Sequence, residues 1–163
     1  MHKKVMTFGA FDVIHEGHRS LFRQAKKLGG KDSKLYVVVA SDERYLLVKG
    51  KKPWFSQRVR MDHVSKELLV DVVVRGDRLN TLVPILKYRP ELIVFGYDQP
   101  LKTSELRRML KMEGFEHARI VRAKPFGPGK FKSSKIKERA KLLGKNRHRK
   151  RGKYQLSGIN GPN

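Results

Sequence analysis

The sequence predicts an α/β protein: a Rossmann-like parallel five-stranded sheet with helices on both faces. Two observations lead to this prediction. Five short segments are almost continuously apolar and rich in β-branched residues, as in strands that are buried on both faces. Helical patterns alternate with these segments along the chain, and such alternation is typical of parallel sheets.

The five predicted strands are residues 3–9, 34–40, 70–76, 91–97 and 118–123. The first helix is predicted over 17–28, because Gly29 and Gly30 follow it as a natural C-terminal stop. Ser56 is expected to cap a helix that runs to about residue 69. The remaining helices are predicted within 80–89, within 103–114 with Thr103 as the cap, and over about 134–143.

The composition excludes several classes of protein. The chain has 163 residues, of which 39% are hydrophobic and 33% are charged, so it can bury a core. No apolar run approaches the roughly 18 residues of a membrane span, and the N-terminal segment lacks the features of a secretory signal. A cytoplasmic location is therefore expected. There is no cysteine, which excludes disulfides, thiol catalysis and Cys-type zinc sites.

The net charge of +23 predicts that the protein binds an anionic partner or ligand. Six lysines and arginines lie between Gly144 and Lys153, but the residues before them are also strongly basic. Such a charge attracts nucleotides, nucleic acid or acidic surfaces without selecting among them. We expect residues 1–143 to form one domain. Residues 144–163 read as a mostly disordered basic extension that could make a weak nucleic-acid contact.

The stretch GAFDVIHEGH, residues 9–18, places two histidines at the junction of the first strand and the first helix. His15 and His18 are three residues apart and so share a helix face. The helix N-terminus suits phosphate, and Gly9, Ala10 and Gly17 let a bound group approach the backbone closely. Two other interpretations are open at this point: half of a metal site, or ordinary surface histidines.

This stretch resembles the Gly-Thr-Phe-Asp-x-x-His-x-Gly-His signature of the cytidylyltransferase-like nucleotidyltransferases. The similarity extends over about residues 3–143. VKGKKPWFSQRVRM (48–61) is similar to the lysine-rich loop of the family, LIVFGYDQ (92–99) to its fourth strand, and KFKSSKIKERAK (130–141) to its second signature. Without the family, the lysines would be a solvated charge run and the serines only a helix cap.

The resemblance implies roles for particular residues. The catalytic residues would be His15, His18, Lys49 and Lys51. The nucleotide-binding residues would be Gly9, Ala10, Phe11, Glu16, Gly17, Arg60, Asp98, Phe126, Lys132, Ser133 and Ser134. A divalent metal, Mg²⁺ or Co²⁺, would accompany the triphosphate, and no residue is assigned to a separate metal site. Dimers are common in the family, so a homodimer is one possible assembly.

Within the family, GYDQ (96–99), KGKKP (49–53) and KSSKI (132–136) look more like archaeal-type FAD synthases than like glycerol-3-phosphate cytidylyltransferases. This implies transfer of AMP from ATP to FMN with release of pyrophosphate. Trp54, Phe55 and Phe126 are candidate walls for the flavin ring. The alternatives are a cytidylyltransferase that makes a CDP-alcohol from CTP, and a non-catalytic basic module that binds nucleotide or RNA.

Overall fold

All five predicted strands form, and they join one parallel sheet. In the computed structural model, which describes residues 1–127 and 134–143, they are β1 (Lys3–Gly9), β2 (Ser33–Val39), β3 (Val72–Arg75), β4 (Leu92–Phe95) and β5 (Arg119–Arg122). Their order is β3-β2-β1-β4-β5. The chain therefore builds outward from β1 on one side and then crosses to its other side, and ligand crevices in such sheets open where this reversal occurs.

Within the described residues, six helices connect and flank these strands. They are α1 (Glu16–Gly29), α2 (Asp42–Lys49), α3 (Gln57–Ser65), α4 (Leu82–Tyr88), α5 (Thr103–Met112) and α6 (134–143). Ser56 caps α3 as predicted, since its hydroxyl accepts a hydrogen bond from the Val59 N–H. The predicted basic extension at 144–163 lies outside the described residues.

The sheet has a hydrophobic core on each face, which confirms the predicted layering. Neighbouring residues of one strand serve opposite cores: Val5 belongs to one cluster and Met6 to the other, and both are completely buried. Helices α1 and α3 cover the Val5 face, contributing residues such as Phe22 and Val64. Helices α4 and α5 cover the Met6 face, with Ile85 and Leu106 fully buried. Burial on both faces explains why the strands are so uniformly apolar.

Strands β3 and β4 are shorter than predicted, and three helices differ from the sequence prediction. Helix α2 was not predicted, because Tyr45 is its one buried residue and the helix therefore has little apolar periodicity. Helix α3 ends at Ser65, earlier than residue 69. Thr103 does not cap α5: Lys102 occupies the N-cap position, and its side chain makes no capping hydrogen bond.

Candidate active site

A cavity of about 600 Å³ lies at the carboxyl ends of the strands. Its wall includes Gly9 at the end of β1, Ala10 directly after it, Ala40 after β2 and Gly96 after β4. Position 9 requires glycine, because a Cβ there would lie 2.6 Å from the Phe11 ring. Phe11 itself is 1% exposed and has a left-handed φ of 50°, a conformation uncommon for an aromatic residue.

The two signature histidines both line the cavity and stack on each other, with ring centroids 3.8 Å apart. His15 is the N-cap of α1, and its Nδ1 accepts a hydrogen bond from the Gly17 N–H at 3.1 Å. The Nδ1 of His18 accepts from the His15 N–H at 3.4 Å. A ring nitrogen that accepts cannot carry the proton, so in the neutral rings Nε2–H is the donor left for a ligand.

Both histidines are held neutral. Burial is the largest cause. Together with repulsion from the Arg19 guanidinium, and from His15 whenever that ring is protonated, it lowers the pKa of His18 to about 3. Burial also lowers the pKa of His15, and it outweighs the opposing effect of Asp98. The site therefore offers two neutral Nε2–H donors at physiological pH.

Cationic and hydroxyl groups line the same cavity as the histidine pair. Lys49 ends α2, Lys51 follows the left-handed Gly50, and both lysines are exposed side chains lining the cavity. Ser134, at the start of α6, also lines it. The structure thus brings these three predicted residues together with the histidines. Lys132 and Ser133 lie outside the described residues.

The loop after β4 presents Asp98 to the cavity and is fixed by two neighbouring side chains. Gln99 donates a hydrogen bond to the Phe8 carbonyl and accepts one from the Gly96 N–H. Arg122 on β5 donates to the carbonyls of Gly96, Gln99 and Leu101, at 2.9, 3.0 and 2.6 Å. These bonds tie the loop to β1 and β5, so Asp98 is held on a rigid frame.

Two predicted nucleotide-binding residues do not reach the cavity. Arg60 is completely buried, and its guanidinium donates to the carbonyls of Ala10 and Phe55 and to the Asp42 carboxylate, at 2.6, 3.0 and 2.6 Å. It supports the β1 loop from behind and has no free face for phosphate. Glu16 pairs with arginines on its own helix and does not line the cavity. The remaining predicted positions, Gly17 and Phe126, do line it.

Sequence reasoning missed the residues on the β2–β3 side of the cavity. They include Arg44, Asp77, Leu79 and Asn80. A glycine and then an aspartate follow both β3 and β4: Asp77 comes directly after Gly76, and Asp98 comes two residues after Gly96. This partial similarity was the available signal. The Asp77 carboxylate accepts the N–H groups of Leu79 and Asn80 and so shapes the turn.

Comparison with known proteins agrees with this geometry. The model of the cytidylyltransferase-like family matches residues 6–139. The chain belongs to the cytidylyltransferase-like family. The nucleotidyltransferase class predicted from the signature is therefore confirmed, and the non-catalytic module is not supported.

Several similar proteins are named FAD synthase. The one from Korarchaeum cryptofilum is 40% identical over 127 residues, covering 78% of this chain and 85% of its own length. The one from Methanothermus fervidus is 32% identical over 140 residues, covering 86% and 92%. Among solved structures, the lipopolysaccharide core biosynthesis protein from Thermoplasma volcanium has a TM-score of 0.70 at 31% identity, covering 76% of this chain and 98% of its own.

Residues 1–127 and 134–143 contain no group of three or more histidines, aspartates or glutamates that could hold a metal ion. In the same part of the chain, no helix is long and apolar enough to cross a membrane.

The neutral state of His18 predicts that the fold loses stability in acid. In the unfolded chain this histidine has a pKa near 6.5, whereas in the folded protein it stays unprotonated down to about 3. The unfolded state therefore binds the extra proton as the pH falls below about 6.5, and the free energy of unfolding decreases. Urea titrations at pH 7.5 and 5.0 measure this loss. We expect the wild-type loss to exceed that of His18→Asn by up to about 2 kcal/mol.

Substitution of His117, an exposed histidine, is the matched control for this experiment. His117→Asn should show the wild-type pH dependence. If His18→Asn also kept that dependence unchanged, His18 would not be buried in the neutral form.

Removal of the Arg60 guanidinium should destabilise the fold. Arg60→Met leaves two carbonyls and the Asp42 carboxylate without their donor, and each loss costs about 1 kcal/mol or more. We expect the free energy of unfolding to fall by about 3 kcal/mol. Arg58→Met, an exposed change on the same helix, should stay within about 0.5 kcal/mol of wild type. Unchanged stability with weakened ATP binding would instead make Arg60 a phosphate ligand.

Proposed function

We propose that this protein is an FAD synthase, which transfers AMP from ATP to FMN and releases pyrophosphate. The observation that carries the proposal is that relatives named FAD synthase match most of this chain at 31–40% identity. The cavity supports it, because its lining offers distinct surroundings on the two sides of the histidine pair.

ATP would occupy the β4–β5 side. The order β3-β2-β1-β4-β5 places Asp98 and Phe126, which follow β4 and β5, on this side of the histidines. Lys49, Lys51 and Ser134 line the same cavity and would hold the β- and γ-phosphates. Their two charges and one hydroxyl match the needs of a pyrophosphate leaving group.

FMN would occupy the β2–β3 side. Leu79 and Val48 line the cavity there and are 56% and 45% exposed, which leaves apolar surface for a planar ring to cover. Arg44 lines the same side and offers a guanidinium to the acceptor phosphate. An apolar wall favours a flavin over glycerol 3-phosphate, which has no apolar ring. Trp54 and Phe55, considered earlier as ring contacts, do not line the cavity.

The reaction would be an in-line displacement. A phosphate oxygen of FMN attacks the α-phosphorus of ATP, and the bond from this phosphorus to the bridging oxygen breaks as pyrophosphate leaves. His15 and His18 would donate from Nε2 to the α-phosphoryl oxygens, where negative charge develops. Such chemistry depends on positioning and charge stabilisation rather than on a protein nucleophile.

The divalent metal belongs to this proposal. Mg²⁺ is usually held by one or two carboxylates together with substrate phosphates, and Asp98 is a cavity carboxylate that fits this pattern. When bound, the metal would neutralise phosphate charge. Homodimer formation, cytoplasmic location and nucleic-acid contact by the basic extension remain predictions.

A substrate panel tests the proposed function. Purified protein with Mg²⁺ or Co²⁺ is given ATP or CTP together with FMN, glycerol 3-phosphate or phosphoethanolamine, and products are identified by mass. We expect FAD from ATP and FMN. A CDP-alcohol formed from CTP, without FAD, would contradict the proposal and support the cytidylyltransferase alternative.

Loss of the His18 imidazole should slow the transfer step. We expect His18→Ala to lower kcat by about 10²- to 10³-fold, as removal of one transition-state donor typically does. His117→Ala, an exposed substitution, should keep wild-type kcat. Equal turnover in a correctly folded His18→Ala protein would remove His18 from the mechanism.

Loss of the Lys51 charge should chiefly weaken binding of the triphosphate. We expect Lys51→Ala to raise the KM for ATP by about 10-fold or more, because a charge-assisted contact to phosphate is lost. The neighbouring Lys52 does not line the cavity, so Lys52→Ala should change this KM less than about twofold. A KM for ATP that responded equally to both substitutions would contradict the role of Lys51.

A further inference from the structure

A buried ion pair lies beside the cavity and is not explained by the proposed reaction. Lys137, on α6, is 5% exposed, and Asp12, in the signature loop after β1, is 1% exposed. The Lys137 ammonium donates hydrogen bonds to the Asp12 carboxylate and to the Tyr45 hydroxyl. It also lies over the rings of Tyr45 and Trp54, at 5.5 and 5.0 Å from their centroids. This lysine is thus enclosed by charge and aromatic partners.

Asp12 links Lys137 to two further parts of the site. Its two carboxylate oxygens accept the N–H groups of Trp54 and Phe55, at 2.8 and 3.0 Å. Burial alone would raise the pKa of Asp12, but these hydrogen bonds and that from Lys137 outweigh it and lower the pKa. One ionised carboxylate therefore joins three segments: the loop that carries the histidines, the segment that follows the lysine-rich loop, and α6.

Stability alone gives a poor reason for this pair. Taking two charges out of water carries a large desolvation penalty, and apolar residues of similar volume often serve a core equally well or better. The pair does, however, fix geometry, because a buried charge is satisfied only when its partner is in place. We therefore expect the ion pair to serve mainly to position neighbouring residues of the site.

The segment that the pair positions is the start of α6. Ser134 and Lys137 are three residues apart on this helix and so share a face, and both line the cavity. With Lys137 locked onto Asp12, Ser134 is held at the cavity rim. Without the ion pair, Lys137 would no longer link α6 to Asp12 in the signature loop.

We propose that Lys137 is a positioning residue for the triphosphate: through Asp12 it holds α6 so that Ser134 faces the phosphates of the bound nucleotide. This proposal rests on the proposed function, since it assumes that a nucleoside triphosphate occupies the cavity. Lys137 acts through Asp12 and α6 and does not contact the reacting atoms. Its loss should therefore weaken ATP binding far more than FMN binding.

The test measures ATP and pyrophosphate affinity separately from turnover. The probes are ATP with Mg²⁺ and inorganic pyrophosphate, titrated calorimetrically against the full chain. We expect Lys137→Met to raise the Kd of both by at least about 10-fold, a loss typical of a disturbed phosphate contact. The KM for FMN should change less than about twofold. Lys141→Met, an exposed change on the same helix, should leave both affinities at the wild-type value.

A double variant separates positioning from mere stability. Lys137→Met leaves the Asp12 charge buried and unpaired, so its melting temperature should fall; Asp12→Asn/Lys137→Met removes that charge and should regain stability. ATP affinity should nevertheless stay at least about 10-fold weaker than wild type, because α6 is still not anchored. Recovery of ATP affinity together with stability would overturn the proposal.

The fluorescence of Trp54 gives an independent readout, since it is the only tryptophan of the chain and Lys137 lies over its ring. The emission of Lys137→Met should differ from wild type, and that of Lys141→Met should not. An unchanged ATP Kd in Lys137→Met, or an equal loss of FMN and ATP binding, would also overturn the proposal.

Failure of the inference is distinguishable from failure of the proposed function. If the wild-type protein binds ATP in a Lys137-dependent way but forms no FAD, the positioning role stands and the acceptor is wrong. If the wild-type protein binds neither ATP nor pyrophosphate, both proposals are overturned.

Discussion

Two imidazole rings cap the first turn of α1, and the chemistry of the cavity depends on that cap. The first N–H groups of a helix have no partner within the helix. Here Nδ1 of His15 accepts from Gly17 and Nδ1 of His18 accepts from His15, so the same bonds that start the helix fix each ring and place its proton on Nε2. Burial keeps His18 neutral, with a pKa of about 3. The hydrogen bonds that cap the helix are therefore the same ones that leave each histidine with a neutral Nε2–H donor.

In this arrangement the hydrogen-bond donors at the centre of the site are neutral, and the positive charge is carried by other residues. Neutral rings can be buried and stacked at 3.8 Å, which two imidazolium ions could not be without strong repulsion. The positive charge comes from Lys49 and Lys51, which remain exposed at the cavity and can adapt to a flexible triphosphate. The rigid histidine donors would thus bind the oxygens of the reacting phosphorus. The flexible lysines would bind the pyrophosphate leaving group.

Local patterns predicted the fold and the centre of the site, whereas long-range pairing decided the rest. The strands could be predicted because burial on both faces makes them uniformly apolar. The two histidines could be singled out because they follow the first strand directly and match the signature of the family. Arg60 was assigned to the nucleotide because the sequence pattern of a helical arginine after a lysine-rich loop is the same for a phosphate ligand and for a buried structural arginine. The two roles are distinguished only by the groups that the guanidinium contacts, here the carbonyls of Ala10 and Phe55. The pair of Asp12 and Lys137 joins residues 125 positions apart, and no local pattern reports such a contact.

The central claim is that His15 and His18 are neutral, accept through Nδ1 and donate through Nε2 to the nucleotide. Long-range ¹⁵N–¹H correlation spectra of the six histidines measure this directly, recorded at pH 7 with and without a non-hydrolysable ATP analogue and Mg²⁺. We expect His15 and His18 to have an unprotonated Nδ1 and a protonated Nε2, and we expect the analogue to shift mainly their signals. The account would be contradicted if either ring were protonated on both nitrogens or carried its proton on Nδ1, or if the signals of His15 and His18 did not change when the analogue was added.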